Sequence, residues 1–170
     1  MTAVRGLNSP GMPSGGRAAA LVRIATGILF TALGLEKLLG DFVRGGFAKG
    51  LPGMLSHSWP FWRSFLQSMV APRASVFAWI VAGAEVALGL ALVLGLWTRA
   101  ACAAGVLLMI VILLGQSYTP GASWSDWLTS GLTTRFAILL LLLLAASDAG
   151  RVWGIDARRG ARVRRGSIRR

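Results

Sequence analysis

The sequence predicts an all-α integral membrane protein: a four-helix antiparallel bundle with a short interfacial amphipathic helix between spans one and two. Hydrophobic residues make up 55% of the 170 residues and charged residues only 14%, a balance outside the usual range of soluble proteins. Several stretches of roughly 20 residues are apolar on every face, as membrane-spanning helices are. A soluble helical domain with a large core would need amphipathic helices, so we set that alternative aside.

The chain divides into three predicted regions. Residues 1–17 are rich in Gly, Pro and Ser and predict a flexible N-terminal tail. Residues 18–156 predict a membrane domain, with spans at 18–39, 75–97, 100–117 and 132–149. Residues 157–170 predict a basic C-terminal tail.

Span one carries its charged residues on two opposite sides. Five residues fall within about 40° of one line along the helix: Arg23, Gly27, Phe30, Gly34 and Lys37. Glu36 points nearly the other way. The two bases either contribute to a polar site inside the bundle or snorkel towards the two headgroup layers.

Residues 40–74 predict a loop that contains one short amphipathic helix. Ser58 is the expected N-cap and Pro60 lies in the first turn, and apolar residues then recur every three or four positions until Pro72 stops the helix. Trp59 and Trp62 suit a helix at the membrane interface, although it could instead cover the mouth of the bundle. For His57, at its start, we expect a solvated or capping role.

Span two contains one charged residue, Glu85, midway along an apolar run. An ionised carboxylate at that depth costs at least several kcal/mol, so Glu85 should face the protein interior and be partnered or protonated. Small residues form two strips on this helix, which indicates packing on two sides. The first strip is Gly83, Ala87, Ala91 and Gly95, and the second is Ala78, Ala82, Glu85 and Gly89.

Spans three and four follow through short connections. The Trp97–Arg99 turn is so short that span three must run antiparallel to span two. Cys102 is the single cysteine, expected as a buried packing residue, so the chain has no internal disulfide or redox pair. One histidine cannot ligate haem twice or zinc three times, so we expect no protein-bound metal. The Leu run 139–144 in span four is expected to face lipid.

Charge sets the predicted orientation. The side that holds both termini and Arg99 carries eleven Lys and Arg residues, against five on the other side. By the positive-inside rule both termini lie in the cytoplasm, and the expected location is a prokaryotic plasma membrane. The formal charge of +12 needs no nucleic acid to explain it, because a basic tail beside a span binds anionic lipid. The lipid-binding candidates are Arg158, Arg159, Arg162, Arg164 and Arg165.

Short motifs at the span ends resemble the DoxX/DoxD family of small four-helix membrane proteins. They are Gly34–Leu38, Gly83–Glu85, Gly95–Arg99 and Ala149–Asp156, and residues 65–72 favour the DoxD-like members. The resemblance covers roughly residues 20–156. It implies a redox-associated membrane subunit, in some members linked to quinone reduction by sulfur compounds, as in the small membrane subunit of thiosulfate:quinone oxidoreductase.

A quinone site needs an apolar slot and one or two polar groups that donate to the carbonyl oxygens. Glu85 with Lys37 or Arg23 could meet that need. At 1.5 Å per residue, each base lies roughly 10 Å in depth from Glu85, so a polar cavity between spans one and two is a more economical expectation than a direct ion pair. Alternatively, Glu85 is a protonated structural residue that holds the bundle in register.

Cations on the outer side could steer an anion to the mouth of the bundle, or they are ordinary interfacial charges. They are Lys37, Arg44, Lys49, Arg63 and Arg73.

Three functions follow from these patterns. The first is a quinone-interacting membrane subunit that acts with partner redox proteins, because the chain has no redox centre of its own. The second is a structural subunit of a larger membrane complex. The third is an anion or small-solute carrier, which ranks last because the sequence shows no inverted repeat or broken helix. The electron donor, the partner subunits and the oligomeric state are not predicted.

Overall fold

The described part of the chain is mostly helical and contains no strand. The computed structural model describes residues 14–118, 120–147 and 149–156. Of the predicted N-terminal tail, residues 14–17 are helical and residues 1–13 lie outside the described residues, as does the predicted C-terminal tail (157–170) with the five candidate lipid-binding arginines. Four longer helices form the body: α1 (Ser14–Leu39), α4 (Ala74–Leu94), α5 (Thr98–Leu114) and α7 (Leu132–Ala146). Three shorter helices connect them: α2 (Phe47–Ser56), α3 (Pro60–Phe65) and α6 (Trp124–Thr129).

The four longer helices pack side by side in the order α1, α4, α5, α7. The contact between α1 and α4 is the most extensive, followed by that between α5 and α7. One apolar core joins all four helices and is centred on Phe30, Leu92, Cys102, Met109 and Leu141. Cys102 is fully buried in this core, in agreement with its predicted packing role.

The outer faces of the longer helices carry large apolar side chains. Leu29 on α1, Ile80 on α4, Leu107 on α5 and Leu143 on α7 are all exposed. Helix α1 and the continuous helical stretch Pro60–Leu94 are long and apolar enough to cross a membrane, and α5 and α7 are shorter apolar helices. Exposed apolar surface on this scale is unusual for a soluble monomer, because water disfavours it. In the predicted lipid-facing Leu run, however, Leu141 and Leu144 are buried.

The connection between α1 and α4 differs from the predicted loop. After α1, a kinked turn (Phe42–Gly46) leads into α2, with non-helical backbone angles at Arg44 and a φ of +113° at Gly45, and α3 begins at Pro60 as predicted. The predicted stop at Pro72 is only partly right: a π-helical turn (Leu66–Val70) and a 3₁₀ turn (Ala71–Arg73) continue past Pro72, and the backbone leaves helical angles at Arg73 (φ −124°, ψ 30°), immediately before α4. Proline needs no amide hydrogen at the start of a helical segment, so Pro72 fits the first positions of this 3₁₀ turn. We call residues 42–73 the cap segment.

Ser58 does not cap α3, contrary to the prediction. The residue before α3 is Trp59, which makes no side-chain capping bond. The Ser58 hydroxyl donates instead to the Met54 carbonyl oxygen at 2.5 Å, and it is fully buried. Ser58 therefore supplies a hydrogen bond to a carbonyl oxygen at the end of α2 and does not cap the beginning of α3.

Two features connect the remaining helices. Gly95 has a φ of +62°, the left-handed conformation that ends many helices and favours glycine, and it closes α4 before the tight turn to α5. Helix α6, which the sequence did not predict, begins with a capping box between Ser123 and Asp126. The Arg135 guanidinium on α7 lies 4.3 Å from the Trp127 ring and donates to the carbonyl oxygens of Trp127 and Leu128, so α6 is attached to the start of α7.

Candidate ligand site

Glu85 and Lys37 form a direct ion pair between α4 and α1. The ammonium nitrogen of Lys37 contacts Oε1 of Glu85. The Glu85 side chain is 4% exposed and that of Lys37 is 27% exposed. The sequence analysis favoured a polar cavity between spans one and two over a direct ion pair. For Lys37 the predicted difference in depth from Glu85 is too large.

The helix register explains why Lys37 reaches Glu85. Gly34 lies against Ala82 and Val86, and a Cβ added at Gly34 would lie only 2.7 Å from the Val86 side chain. Lys37 is therefore level with a residue about one helical turn from Glu85, an axial offset of about 6 Å at 1.5 Å per residue. A lysine has a flexible four-carbon stem and can span that offset. The depths predicted from the sequence placed the outer ends of α1 and α4 level, whereas α4 starts about one turn beyond the end of α1.

An apolar cavity of about 300 Å³ adjoins this pair. Among the described residues that line it, Lys37 supplies the charge and the others are apolar. Five of them are aromatic: Phe42, Phe47, Trp62, Phe65 and Phe77. The remaining lining residues are Met54, Leu66, Val70, Val81, Val111 and Ile112. We call this space the aromatic cavity.

The cap segment forms much of the cavity wall. The Phe42 and Phe47 rings lie 5.3 Å apart, and those of Trp62 and Phe65 lie 4.6 Å apart. The Lys37 ammonium lies 5.6 Å from the centre of the Phe42 ring, a cation–π distance. The kinked turn contributes Phe42 to the lining, and the π-helical turn (Leu66–Val70) contributes Leu66 and Val70. π-Helical turns occur frequently at functional sites.

The cap segment is attached to the end of α5 at residues 57–59. The Trp59 amide donates to the Leu114 carbonyl oxygen at 3.2 Å, and the Tyr118 amide donates to the His57 carbonyl oxygen at 2.8 Å. The Trp59 indole nitrogen donates to the Ser117 hydroxyl at 3.1 Å. The His57 ring is exposed and contacts the Gly53 carbonyl oxygen, away from the cavity lining.

Arg23 lies at the other end of the bundle from Glu85. Its side chain is fully buried, so it does not snorkel. It donates to the carbonyl oxygens of Ala149 at 2.7 Å, Val152 at 3.2 Å and Trp153 at 3.0 Å. Fourteen residues of helix separate Arg23 from Lys37, about 21 Å along the axis, so the structure does not bring Arg23 to the Glu85 pair.

Residues 149–156, the C-terminal segment, fold back onto this end of the bundle. The Asp156 carboxylate accepts from the amides of Trp97 and Thr98, each at 3.0 Å, and so caps the start of α5. The Asp156 amide donates to the Gly95 carbonyl oxygen at 3.1 Å. The motif that closes the predicted membrane domain thus joins α1, α4 and α5.

The outer cations do not converge on one site. Arg44, Lys49 and Arg73 are exposed, while Arg63 is partly buried and donates to the Ser58 carbonyl oxygen at 3.3 Å. Lys37 alone among these five lines the aromatic cavity. Anion steering by the other four stays a prediction.

The sequence missed the aromatic residues of the cavity. Phe42, Phe47 and Phe77 showed no pattern of their own, because they come from separate elements that meet only in the folded chain. Trp62 and Phe65 were assigned to the apolar face of the interfacial helix. The one signal in the sequence was that Phe42 and Phe47 follow Lys37 within ten positions.

Comparison with known proteins gives a family match. A family model described as DoxX matches residues 18–116. No curated protein and no solved structure matches the chain. The matched range contains Lys37, Glu85 and every residue that lines the aromatic cavity, whereas the carbonyl partners of Arg23 lie beyond it.

Proposed function

Because the chain belongs to the DoxX family, which is membrane-associated, we propose that it is a four-span membrane subunit that binds a quinone in the aromatic cavity. Helices α1, α4, α5 and α7 are the proposed spans. The apolar outer faces of these helices support this arrangement, because lipid is the solvent that such faces favour.

The observation that carries the proposal is an apolar, aromatic-lined cavity with an ion pair at its edge. Ligand sites of this kind are largely apolar and fix orientation with a few polar groups. Aromatic rings at the wall suit stacking against a planar ring, and the Lys37 ammonium has hydrogens to spare for a carbonyl oxygen after it contacts Glu85. The residues present therefore fit a quinone headgroup.

When bound, a quinone would supply the ability to accept two electrons and two protons. In this proposal the chain's own residues bind, orient and exclude water. Lys37 donates a hydrogen bond to a ring oxygen, Glu85 holds Lys37 in place, and the cap segment closes the cavity. The electrons come from a partner redox protein, because one cysteine and one histidine do not make a redox centre in this chain.

The test is to measure quinone retention in two matched variants. Val81 lines the aromatic cavity, whereas its neighbour Ile80 is exposed on the outer face of α4. In Val81→Trp the larger side chain fills the cavity, so quinone extracted from the purified protein should fall at least fivefold. Ile80→Trp should retain the wild-type amount. If the two variants retain equal amounts, or wild-type protein carries no quinone and binds none added, the proposal is wrong.

A structural accessory role is the second candidate. A groove of about 430 Å³ between α4 and α5 is lined mostly by small residues, including Ala84, Ala87, Ala91, Ala100 and Ala104. Small residues let another helix approach closely in a membrane. A stable set of co-purifying subunits without bound quinone, identified by mass spectrometry, would favour this role.

A further inference from the structure

The Glu85 carboxylate uses only one of its two oxygens. Oε1 contacts Lys37, whereas Oε2 is buried without a hydrogen-bond partner among the described residues. The whole residue is 3% exposed. A buried acceptor without a hydrogen-bond partner costs free energy. A ligand that donates a hydrogen bond to Oε2 should therefore bind more tightly than a similar ligand that cannot.

The aromatic cavity is connected to this carboxylate through Lys37, and Glu85 itself is not among the residues that line the cavity. Phe77 and Val81 on α4 both line it, and Glu85 lies about one turn beyond Val81 and about 40° further round the helix. Lys37 lines the cavity and contacts Glu85 directly. A ring oxygen that approaches the Lys37 ammonium therefore approaches the carboxylate too.

We propose that the site prefers a ring that carries a hydroxyl group, the quinol form, to the corresponding quinone. This inference rests on the proposed quinone site. A hydroxyl oxygen can accept from Lys37 while its hydrogen is donated to Glu85 Oε2. A quinone carbonyl can only accept, so it leaves Oε2 unpaired. The two forms have nearly the same shape and apolar area, so this hydrogen bond is what separates them.

The size of the preference follows from the cost of an unpaired buried acceptor. At the lower part of the usual range that cost corresponds to roughly a tenfold difference in affinity. Glu85→Gln should bring the affinity ratio close to one. The glutamine side chain has the same shape, but it is neutral and its amide can also donate to a carbonyl.

The experiment compares both redox forms of one short-chain benzoquinone. Full-length protein in nanodiscs of phosphatidylethanolamine and phosphatidylglycerol is titrated calorimetrically with the quinone, and under argon with the quinol. Wild-type protein should bind the quinol about tenfold more tightly, the ratio that corresponds to the lower part of the usual cost of an unpaired buried acceptor. In Phe77→Leu, a change in the apolar wall, affinity for both forms should fall while their ratio stays at the wild-type value.

The outcomes separate this inference from the proposed function. If neither form binds wild-type protein, the quinone site itself is wrong and the inference falls with it. Equal affinities, or tighter binding of the quinone, overturn the redox preference alone and leave the site standing. The wild-type ratio decides the matter even if Glu85→Gln does not fold, which size-exclusion chromatography and circular dichroism would show.

Discussion

Lys37 and Glu85 are the residues on which the candidate site depends. Burying either charged group in an apolar bundle costs free energy, and removing one partner leaves the other charge buried and uncompensated. Lys37 is one-quarter exposed, and Glu85 is almost fully buried. Loss of Lys37 should therefore destabilise the protein, because it leaves the Glu85 carboxylate buried without its partner.

Lys37→Met should destabilise the protein by about 1–3 kcal/mol, the range for a buried polar group left unpaired. Adding Glu85→Leu to this variant should restore part of the lost stability, since it removes the carboxylate that has no partner. Thermal unfolding in detergent, followed by circular dichroism, measures both changes. Lys49→Met is the control, because Lys49 is exposed. The unfolding temperature of this variant should stay at the wild-type value. Equal stability of wild type and Lys37→Met would show that the pair contributes nothing.

Arg23 should act as the anchor of the C-terminal segment. It donates to three carbonyl oxygens of that segment, and Arg23→Met would leave all three without this donor. We expect hydrogen–deuterium exchange of residues 149–156 to quicken at least tenfold in Arg23→Met. Arg23→Lys should give an intermediate rate, because an ammonium lacks the planar fork of a guanidinium. Arg17→Met, a change at an exposed position of α1, should exchange at the wild-type rate. Unchanged exchange in Arg23→Met would contradict the anchoring role.

Charges were easy to identify from the sequence, and partners were not. Glu85, Lys37 and Arg23 stand out because ionised groups in apolar runs are rare. Their placement on faces did not separate the roles of the two bases, since Arg23 and Lys37 share one side of α1. Only the register of α1 against α4 assigns Lys37 to Glu85 and places Arg23 beside Gly95.

At the scale of helices, glycines set that register. A Cβ at Gly89 would lie 2.5 Å from the Thr31 amide nitrogen and 2.6 Å from the Gly27 carbonyl oxygen. These are backbone atoms, so they cannot move aside as a flexible side chain can. The second strip of small residues on α4 is therefore the face on which α1 packs. In the first strip, Gly83 and Ala87 are exposed, and only Gly95 is buried.

Two glycine substitutions on the same helix test this contact. Gly89→Ala should force α1 and α4 apart and cost about 1–3 kcal/mol, as other overpacked cores do. Gly83→Ala should be neutral or stabilise by up to about 1 kcal/mol, because alanine favours helix and no atom of the described residues lies within 4 Å of the added Cβ. Chemical denaturation in mixed micelles compares the two. A Gly83→Ala variant at least as destabilised as Gly89→Ala would contradict the assigned interface.

Helix positions were more predictable than the connections between helices. The four long helices agree with the predicted spans to within about four residues, because long apolar runs are a strong signal. Helix α2 was missed because Gly50, Pro52 and Gly53 disfavour helix in its short sequence, and its packing against the rest of the cap segment outweighs that preference. The kinked turn at 42–46 and the π-helical turn at 66–70 leave no trace in apolar periodicity, so the sequence did not predict them or the part of the cavity wall that they form.

For the whole molecule, the proposed spans separate two groups of polar residues, one at each end of the bundle. The Lys37–Glu85 pair and the aromatic cavity lie at the cap-segment end, while Arg23, Gly95 and Asp156 lie at the end with the C-terminal segment. Under the positive-inside prediction the cavity opens in the outer half of the membrane. A redox partner for this site would then act from the outer side or within the membrane.

Single-cysteine labelling tests this orientation. Cys102 is buried and is the only cysteine, so Cys102→Ala gives a background without thiols at small cost. In that background, Lys49→Cys places a thiol at an exposed position of the cap segment, and Ser167→Cys places one in the basic tail. A membrane-impermeant maleimide added to intact spheroplasts should label Lys49→Cys and should label Ser167→Cys only after permeabilisation. The Cys102→Ala protein itself should stay unlabelled in both conditions. The reverse pattern would place the aromatic cavity on the cytoplasmic side, where the electron-donating partner would also have to be sought.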